Sequence, residues 1–321
     1  MFFKKNQDVC IEIRDDIIRY VELRGTDPVV VRRYGKRKLP MSLIKGGKIV
    51  DQARFKEFIA ECIGDWKLKR KKIRFIEPDE TVAVKVVTVP LSISDEEMRG
   101  YLYHDLGDSI SLPFEHSAID YVNVSKNSEG QKILIVATPE ELVTDYVNVF
   151  RSLHLNPVAV DISPLCYYRL YLDQIKLDYL PKETLLLQVD KLSATVSIFE
   201  DHVPIFMQFE KLFADNMNWK DDVEMAQSMQ ERFNLLVTDI ERILHFYQFS
   251  ISEGKTIKSL ILVGENPFLN YLNEDLQAKL DVAITVIPES IKGLNHKVVP
   301  REYHLAIGLG LKGVDYYVTR Y

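Results

Sequence analysis

The chain has 321 residues, 46% hydrophobic and 27% charged, with a formal net charge of −6 at pH 7. At this length about three quarters of the unfolded surface can be buried, so roughly two domains are expected and neither disulfides nor a structural metal is required. Cys10, Cys62 and Cys166 lie far apart in apolar runs and read as reduced core thiols rather than a disulfide framework. No apolar run approaches the ~18–20 residues of a membrane span, and MFFKKNQD lacks a signal peptide's apolar segment, so a cytosolic protein is expected.

The stretch DVCIEIRDDIIRYVEL (Asp8 to Leu23) is two β-like runs joined by an Arg-Asp-Asp corner without glycine, and PVVVRRY adds a third run. Ala53 to Trp66 sets Phe55, Phe58, Ile59, Cys62, Ile63 and Trp66 at helical spacing. Strands are expected at KIRFIE and VAVKVVTV. Ser94 with Glu97 makes a capping box for a helix through about Leu106. After strands at AIDYVNVS and QKILIVAT, Thr138-Pro139-Glu140-Glu141 predicts a second boxed helix start, with Pro at the first helical position. Its apolar face is Leu142, Tyr146, Val149 and Leu153. NPVAVDI is a further strand. TLLLQVD, ATVSIFED and HVPIFMQFEK then repeat the order of the opening runs some 175 residues later, which suggests a duplicated α/β fold. The longest helix is predicted from about Val223 to Phe249, on a stripe of Phe233, Leu236, Val237, Ile240, Leu244 and Tyr247. Strands at KSLILVGE and VAITVI follow, and IGLGLKG (Ile307 to Gly313) reads as a close-packed helix or turn.

Charge is unevenly distributed. Residues 1–75 hold 20 Lys/Arg against 10 Asp/Glu, while the rest holds 21 against 37. RRYGKRK (Arg32 to Lys38) and KLKRKK (Lys67 to Lys72) read either as solvated turn and helix-end charge or as a face steered toward anionic lipid or an acidic partner. Nucleic acid is disfavoured, since aromatics are not interleaved with the basic groups and the overall balance is acidic. The seven histidines show no metal-ligand spacing, and G-x-S-x-G, Walker A and G-x-G-x-x-G motifs are absent, so no metal site and no catalytic residue is assigned.

Several stretches together resemble the PilM family, the cytoplasmic actin-like component of type IV pilus assembly machines. CIEIRDDIIRYVEL is similar to the family's first hairpin, G-I-D-I-G-S-S-S-V-K-x-V-E-L. LSISDEEMRGYLYHDLGDSISLPFEHSAIDYVNV resembles its acidic helix and following segment, with Pro113 and Asp120 in place. KILIVATPEELVTDYVNVFRSLHLNPVAVDI, DIERILHFYQF (Asp239 to Phe249), SLILVGE and AIGLGLKG follow in the family's order over nearly the whole chain. The resemblance implies an actin-like (ribonuclease H-like) two-lobed α/β fold. Lobe I would comprise 1–88 and 156–180, with a small α+β subdomain inserted at 89–155. Lobe II would span 181–313 with a reduced or missing outer subdomain, and 314–321 would be a tail. It also implies a protein at the inner face of the cell membrane that binds the cytoplasmic tail of a PilN-like membrane protein, with the pilus motor ATPase as a further partner. Family members commonly carry ATP between the lobes.

The residues matching the nucleotide elements depart from the family. Glu12 stands where the family has Asp, Arg14 replaces Gly, Asp15 and Asp16 replace Ser, and Arg19 keeps the charge of a Lys. Glycine lets backbone N–H groups approach phosphate and serine adds donors. Two added carboxylates instead repel a triphosphate, by about 1 kcal/mol each. At the second hairpin Asp190 is kept but Lys191-Leu192 follows, with Ser193 and Thr195 as further cleft candidates. Gly264 remains, with Glu265 in place of a second glycine, and Glu241 and Arg242 read as a helix-surface pair. The expectation is a scaffold without a cofactor, Mg-ATP being disfavoured, that docks a peptide between the insertion and lobe I. Two rivals stay open: an active ATPase in which Arg14 and Arg19 clamp phosphates and Glu12 or Asp190 organises Mg²⁺, and a nucleic-acid module using Lys67 to Lys72.

Overall fold

The computed structural model describes residues 8–24, 30–174, 181–213, 222–252, 254–288, 290–292 and 298–313. The opening runs form β1 (Val9–Ile13), β2 (Ile17–Arg24) and β3 (Val30–Lys38), an antiparallel meander. Its glycine-free corner closes by the Arg14 amide donating to the Ile17 carbonyl, 2.9 Å away. Asp15 fastens this corner to the Gly46-Gly47 turn between β4 (Ile44–Lys45) and β5 (Lys48–Ile49), accepting both glycine amides at 2.7 and 3.0 Å. Helix α1 (Gln52–Trp66) is capped by Asp51, whose side chain accepts the Arg54 amide, and it buries Phe55, Ile59, Cys62 and Ile63. It ends on Lys67 in the left-handed conformation, before β6 (Lys72–Ile76).

The insertion follows as β7 (Ala83–Val89), α2 (Asp95–Asp105), β8 (Ser117–Asn127) and β9 (Gly130–Pro139), with antiparallel sheet order β7-β9-β8. The Ser94/Glu97 capping box is formed. Val89, Met98, Leu102, Ile133 and Ile135 make a small core of their own. Helix α3 (Glu140–Ser152) belongs elsewhere: Leu142, Tyr146, Val149 and Phe150 pack with Val9, Ile11 and Phe55 in the lobe I core. The inserted elements therefore run from 83 to 139, against the expected 89–155. The second capping box does not form. Pro139 occupies the cap position without a side-chain bond, because the Thr138 hydroxyl donates to the buried carboxylate of Glu77, 2.9 Å away.

Lobe I closes with β10 (Asn156–Asp161) and α4 (Ser163–Gln174), and its sheet runs β10-β6-β1-β2-β3. Lobe II repeats the plan with β11 (Glu183–Val189), β12 (Ser193–Glu200), β13 (Val203–Lys211), α5 (Asp222–Phe246), β14 (Ser259–Val263), α6 (Leu269–Lys279) and β15 (Ala283–Val286), in sheet order β13-β12-β11-β14-β15. In each sheet the first strand pairs antiparallel on one side and parallel on the other, which is the duplication expected from the repeated meanders. The long helix stops at Phe246 and gives way to one π-helical turn over Tyr247–Ile251, three residues short of its expected end within the helix proper.

A short hairpin, β16 (Ser290–Lys292) and β17 (Val298–Pro300), leads to α7 (His304–Gly310). Helices α4 and α7 pack on each other between the two sheets, in one core that includes Cys10, Val21, Cys166, Leu186, Ile261 and Leu305. The close packing expected of the glycine run is present: a Cβ at Gly308 would lie 2.0 Å from the Cys166 carbonyl oxygen. Helix α7 thus serves both lobes, although it falls in the range assigned to lobe II. All three cysteines are buried and free. Among the described residues no helix is long and apolar enough to cross a membrane. The tail 314–321 and most of the segment between β13 and α5 lie outside the described residues.

Candidate functional site

The β1–β2 corner, the end of β6, the β11–β12 corner and the residue after Gly264 converge on one cleft between the lobes, with an interior of about 140 Å³. Of its lining side chains, eight are carboxylates and three are basic. Its floor is an ion-pair lattice that crosses from lobe to lobe. Arg19, 1% exposed, donates to Glu12 Oε1 at 2.8 Å and to Glu265 Oε2 at 2.6 Å. Arg14, in the corner, reaches Glu12 on the adjoining β1 and, across the cleft, Asp190 Oδ2 at 2.8 Å and Glu265 Oε1 at 3.6 Å. Burial pushes Glu12 up despite the two arginines. At Glu265 burial is outweighed by Arg14 and Arg19, which hold it below the ordinary carboxylate range. Both arginine side chains thus have protein carboxylates as their partners.

Beside the lattice stands a second polar layer. Asp79 Oδ2 accepts hydrogen bonds from Ser163 (2.7 Å), Thr195 (2.9 Å) and Gln188 (3.2 Å), while its Oδ1 has no hydrogen-bond partner among the described residues. Gln188 also donates to Asp190 at 2.7 Å, which ties the layer to the lattice. Glu77 accepts from Thr138 through Oε1, while Oε2 has no hydrogen-bond partner among the described residues; the Thr81 hydroxyl, which also acts on this carboxylate, donates to the Pro78 carbonyl. Burial pushes Glu77 up to about 7 and Asp79 up to about 6, against the opposing pull of the hydroxyls around them.

The sign of the Glu77 shift makes an unusual prediction. Between its ordinary value of 4.5 and about 7 the unfolded chain loses the proton first, so the Glu77 contribution to stability falls as pH rises through that window. Glu77→Gln is therefore expected to stabilise the protein at pH 8 by roughly 1–3 kcal/mol, and by much less at pH 4. Urea unfolding at the two pH values measures the difference.

Of the residues singled out in the sequence, Glu12, Arg14, Asp15, Arg19, Asp190, Ser193 and Thr195 gather at this cleft. Gly264 supports it from beneath. Its φ is +110°, and a Cβ there would lie 2.1 Å from the Val189 carbonyl oxygen, so its glycine is needed for backbone packing. Glu241 stands apart, exposed on α5 beside a separate surface depression, and the neighbouring Arg242 pairs with Asp239 at 2.8 Å. Glu77, Asp79 and Gln188 go unrecognised in the sequence, where only the acid-rich IEPDE after a strand hints at them. Part of the basic surplus of lobe I is held in ion pairs, with Arg32, Arg33 and Lys71 around the fully buried Glu22. Among the described residues no three His, Cys, Asp or Glu side chains are placed to hold one metal ion.

The family model described as type IV pilus assembly protein PilM matches residues 10–223, more than half of the chain. Among solved structures, a chain of a PilM–PilN type IV pilus biogenesis complex is 19% identical; the match covers 97% of this chain and 99% of that one, with a TM-score of 0.76. The ethanolamine utilization protein EutJ from Carboxydothermus hydrogenoformans is 9% identical over 95% and 89% of the two chains, with a TM-score of 0.52. The cytoplasmic domain of EpsL, an inner-membrane component of the Vibrio cholerae type II secretion system, is 11% identical over 94% of each chain, with a TM-score of 0.50. No curated protein matches the chain by sequence. The structural likenesses bear on the fold, and the family match settles kinship: the chain belongs to the PilM family of type IV pilus assembly proteins, with the two-lobed actin-like architecture.

Proposed function

We propose that this PilM-family chain is a scaffold of the pilus assembly platform that binds the cytoplasmic tail of a PilN-like inner-membrane protein, with nucleotide binding weakened or lost. The observation that carries the loss of nucleotide is the lattice between the lobes. Arg14 and Arg19, the two cations at the first phosphate-type corner, are bonded to Glu12, Asp190 and Glu265. A triphosphate entering there meets arginines already neutralised and a lining with an excess of carboxylates. The space is also small: ligand pockets of drug or nucleotide size are roughly 300–1,000 Å³, against about 140 Å³ here. On this proposal the cleft binds no phosphate and the chain is not an enzyme.

For the partner, support comes from the inserted subdomain. Among the described residues β8 pairs only with β9, so an edge of an eleven-residue strand is left open, and much of that strand is exposed. An extended peptide can add main-chain hydrogen bonds to such an edge while pockets read alternate side chains. The basic surplus of lobe I suits a pose near an anionic membrane surface. Calorimetric titration with synthetic cytoplasmic tails of PilN-like proteins tests the reading. Saturable binding near roughly micromolar Kd is expected. A folded protein that takes up none of these tails would overturn it.

A further inference from the structure

We propose that the end of lobe I opposite the cleft is a contact for an anionic bilayer surface, made by Lys67, Lys69, Arg70 and Lys72 with Arg151 beside them. The inference rests on the reading of this chain as the partner of an inner-membrane protein, and it adds a lipid contact to that partnership.

The strand registers fix the place. Val9 lies opposite Ile73 and Asn156 opposite Lys72, so the α1–β6 and α3–β10 turns meet at the end of the lobe I sheet away from Arg14. The two turns are joined: the Arg70 amide donates to the His154 carbonyl at 3.1 Å, and the Asn156 amide to the Lys71 carbonyl at 2.9 Å. Leu68 is fully buried and anchors the first turn in the core, while Lys67, Lys69, Arg70, Lys72, Arg151 and His154 stand exposed around it.

Two separate observations point to an anionic partner. The first is that the charge here is not neutralised. The acids at this end are already shared, Glu22 by Arg32, Arg33 and Lys71, Asp8 by Arg74, and Asp65 by Arg37. Lys67, Lys69, Arg70 and Lys72 form no ion pair among the described residues. Like charges gathered in this way repel one another until something anionic covers them. The second observation lies in the backbone. Of the five non-glycine residues with left-handed φ, three are in these two turns: Lys67 (58°), Arg70 (60°) and His154 (59°). Glycine takes that conformation without a steric penalty, and a side chain does not. None of the three side chains makes a hydrogen bond within the described residues, so the backbone cost supports side chains that face solvent.

The form of the partner follows from the shape. The cations stand on turn tips and line neither the interlobe cleft nor the depression beside α5. Charge without a groove suits a plane of headgroups better than an extended acidic peptide, and clustered Lys and Arg are drawn to anionic lipid. Single-stranded nucleic acid would ask for aromatic faces to stack on. The adjoining aromatic, Trp66, is instead half-buried against Tyr20, with ring centroids 4.6 Å apart. The cleft lies at the other end of the same sheet, so a bilayer seated here would leave it uncovered.

The test is sedimentation of the whole protein with vesicles of phosphatidylcholine alone and of phosphatidylcholine with about one-third phosphatidylglycerol. Binding to the second and not the first is expected, lost at about 0.5 M sodium chloride. K67N/R70N/K72Q puts asparagine, which tolerates the left-handed backbone, at both constrained positions, and should bind about a hundredfold more weakly. K69E, at a position without that constraint, is a second variant and should weaken binding about tenfold or more. R232Q/R242Q/K258Q removes as many charges from exposed positions on lobe II and should bind nearly as well as the unaltered protein. No sedimentation with the anionic vesicles, or undiminished binding by K67N/R70N/K72Q and K69E, overturns the inference. Tighter retention on duplex DNA than on those vesicles at the same salt overturns it in favour of nucleic acid. Titration with PilN-like tails keeps the two readings apart. If the unaltered protein takes up tails but no vesicles, this surface alone falls; if it takes up vesicles but no tail, the tail reading falls and the surface stands on its own charges.

Discussion

Replacing Arg19 by alanine is expected to destabilise the protein by about 3–5 kcal/mol, because it strands two carboxylates in a site that water barely reaches. Arg19 donates to Glu12 at 2.8 Å and to Glu265 at 2.6 Å, and its side chain is 2% exposed. A loss of that size is a large fraction of the total stability of an ordinary domain. The triple variant R19M/E12Q/E265Q removes the charges together and should recover most of the loss, since a buried ionic cluster contributes little net stability relative to neutral, well-packed groups. Urea unfolding of both variants separates the two effects. A loss below about 1 kcal/mol in R19A would mean that the lattice does not hold the lobes. Had Arg19 instead served a phosphate, its removal would leave the stability of the free protein little changed.

The second large effect is expected at Gly264. Alanine there would put a methyl carbon 2.1 Å from the Val189 carbonyl oxygen, on a residue with φ +110°. Backbone strain and overpacking together should cost about 3 kcal/mol or more. The damage would spread to the lattice, because Glu265 is the next residue and its amide donates to Asp190 at 3.3 Å. Gly100 is the control. It lies inside α2 with nothing within 4 Å of a Cβ, so G100A should be neutral or stabilising by up to about 1 kcal/mol. Equal stability of G264A and G100A in thermal unfolding would refute the packing role.

Much of the fold is legible in the sequence because it is written in local periodicity. The two meanders, the α1 face and the Ser94/Glu97 cap each depend on neighbours within a few residues. Helix α4 is harder to see: Ser163, Pro164, Cys166, Tyr167, Tyr168, Leu170 and Tyr171 are all buried, so no polar face sets off a stripe. The second capping box fails for a different reason. Thr138 is a good cap by local rules, but a buried carboxylate 61 residues earlier takes its hydroxyl. The site shows the same division. The loss of glycine at the first corner is visible in sequence, whereas the partners that Arg14 and Arg19 find are not. Glu265 lies 246 residues from Arg19, and only the folding of both lobes brings them into contact. The acids at Glu12 and Asp190 therefore read as ordinary hairpin residues until their arginines are seen.

The parallel between the lobes explains why a lattice can form here at all. Each β1-like hairpin points its corner into the same cleft, so a charge on one corner faces the other at hydrogen-bond range. In this chain the first corner contributes arginines and the second contributes Asp190, with Glu265 arriving from the parallel strand beside it. Opposed charges across the cleft hold the lobes in one relation without a bound ligand, which suits a scaffold. The core shared by α4 and α7 adds an apolar contact between the lobes to the same effect.

The most direct measurement is calorimetric titration of the purified protein with Mg-ATP, followed by thermal unfolding in its presence. A ligand at 100 times its Kd stabilises the folded state by about 2.7 kcal/mol, so even weak binding would be seen at millimolar nucleotide. With the lattice in place, neither heat nor a shift in unfolding temperature is expected. Saturable binding in the micromolar range would show that the arginines leave their carboxylates for phosphate, and would contradict the reading of the cleft as closed by its own ion pairs.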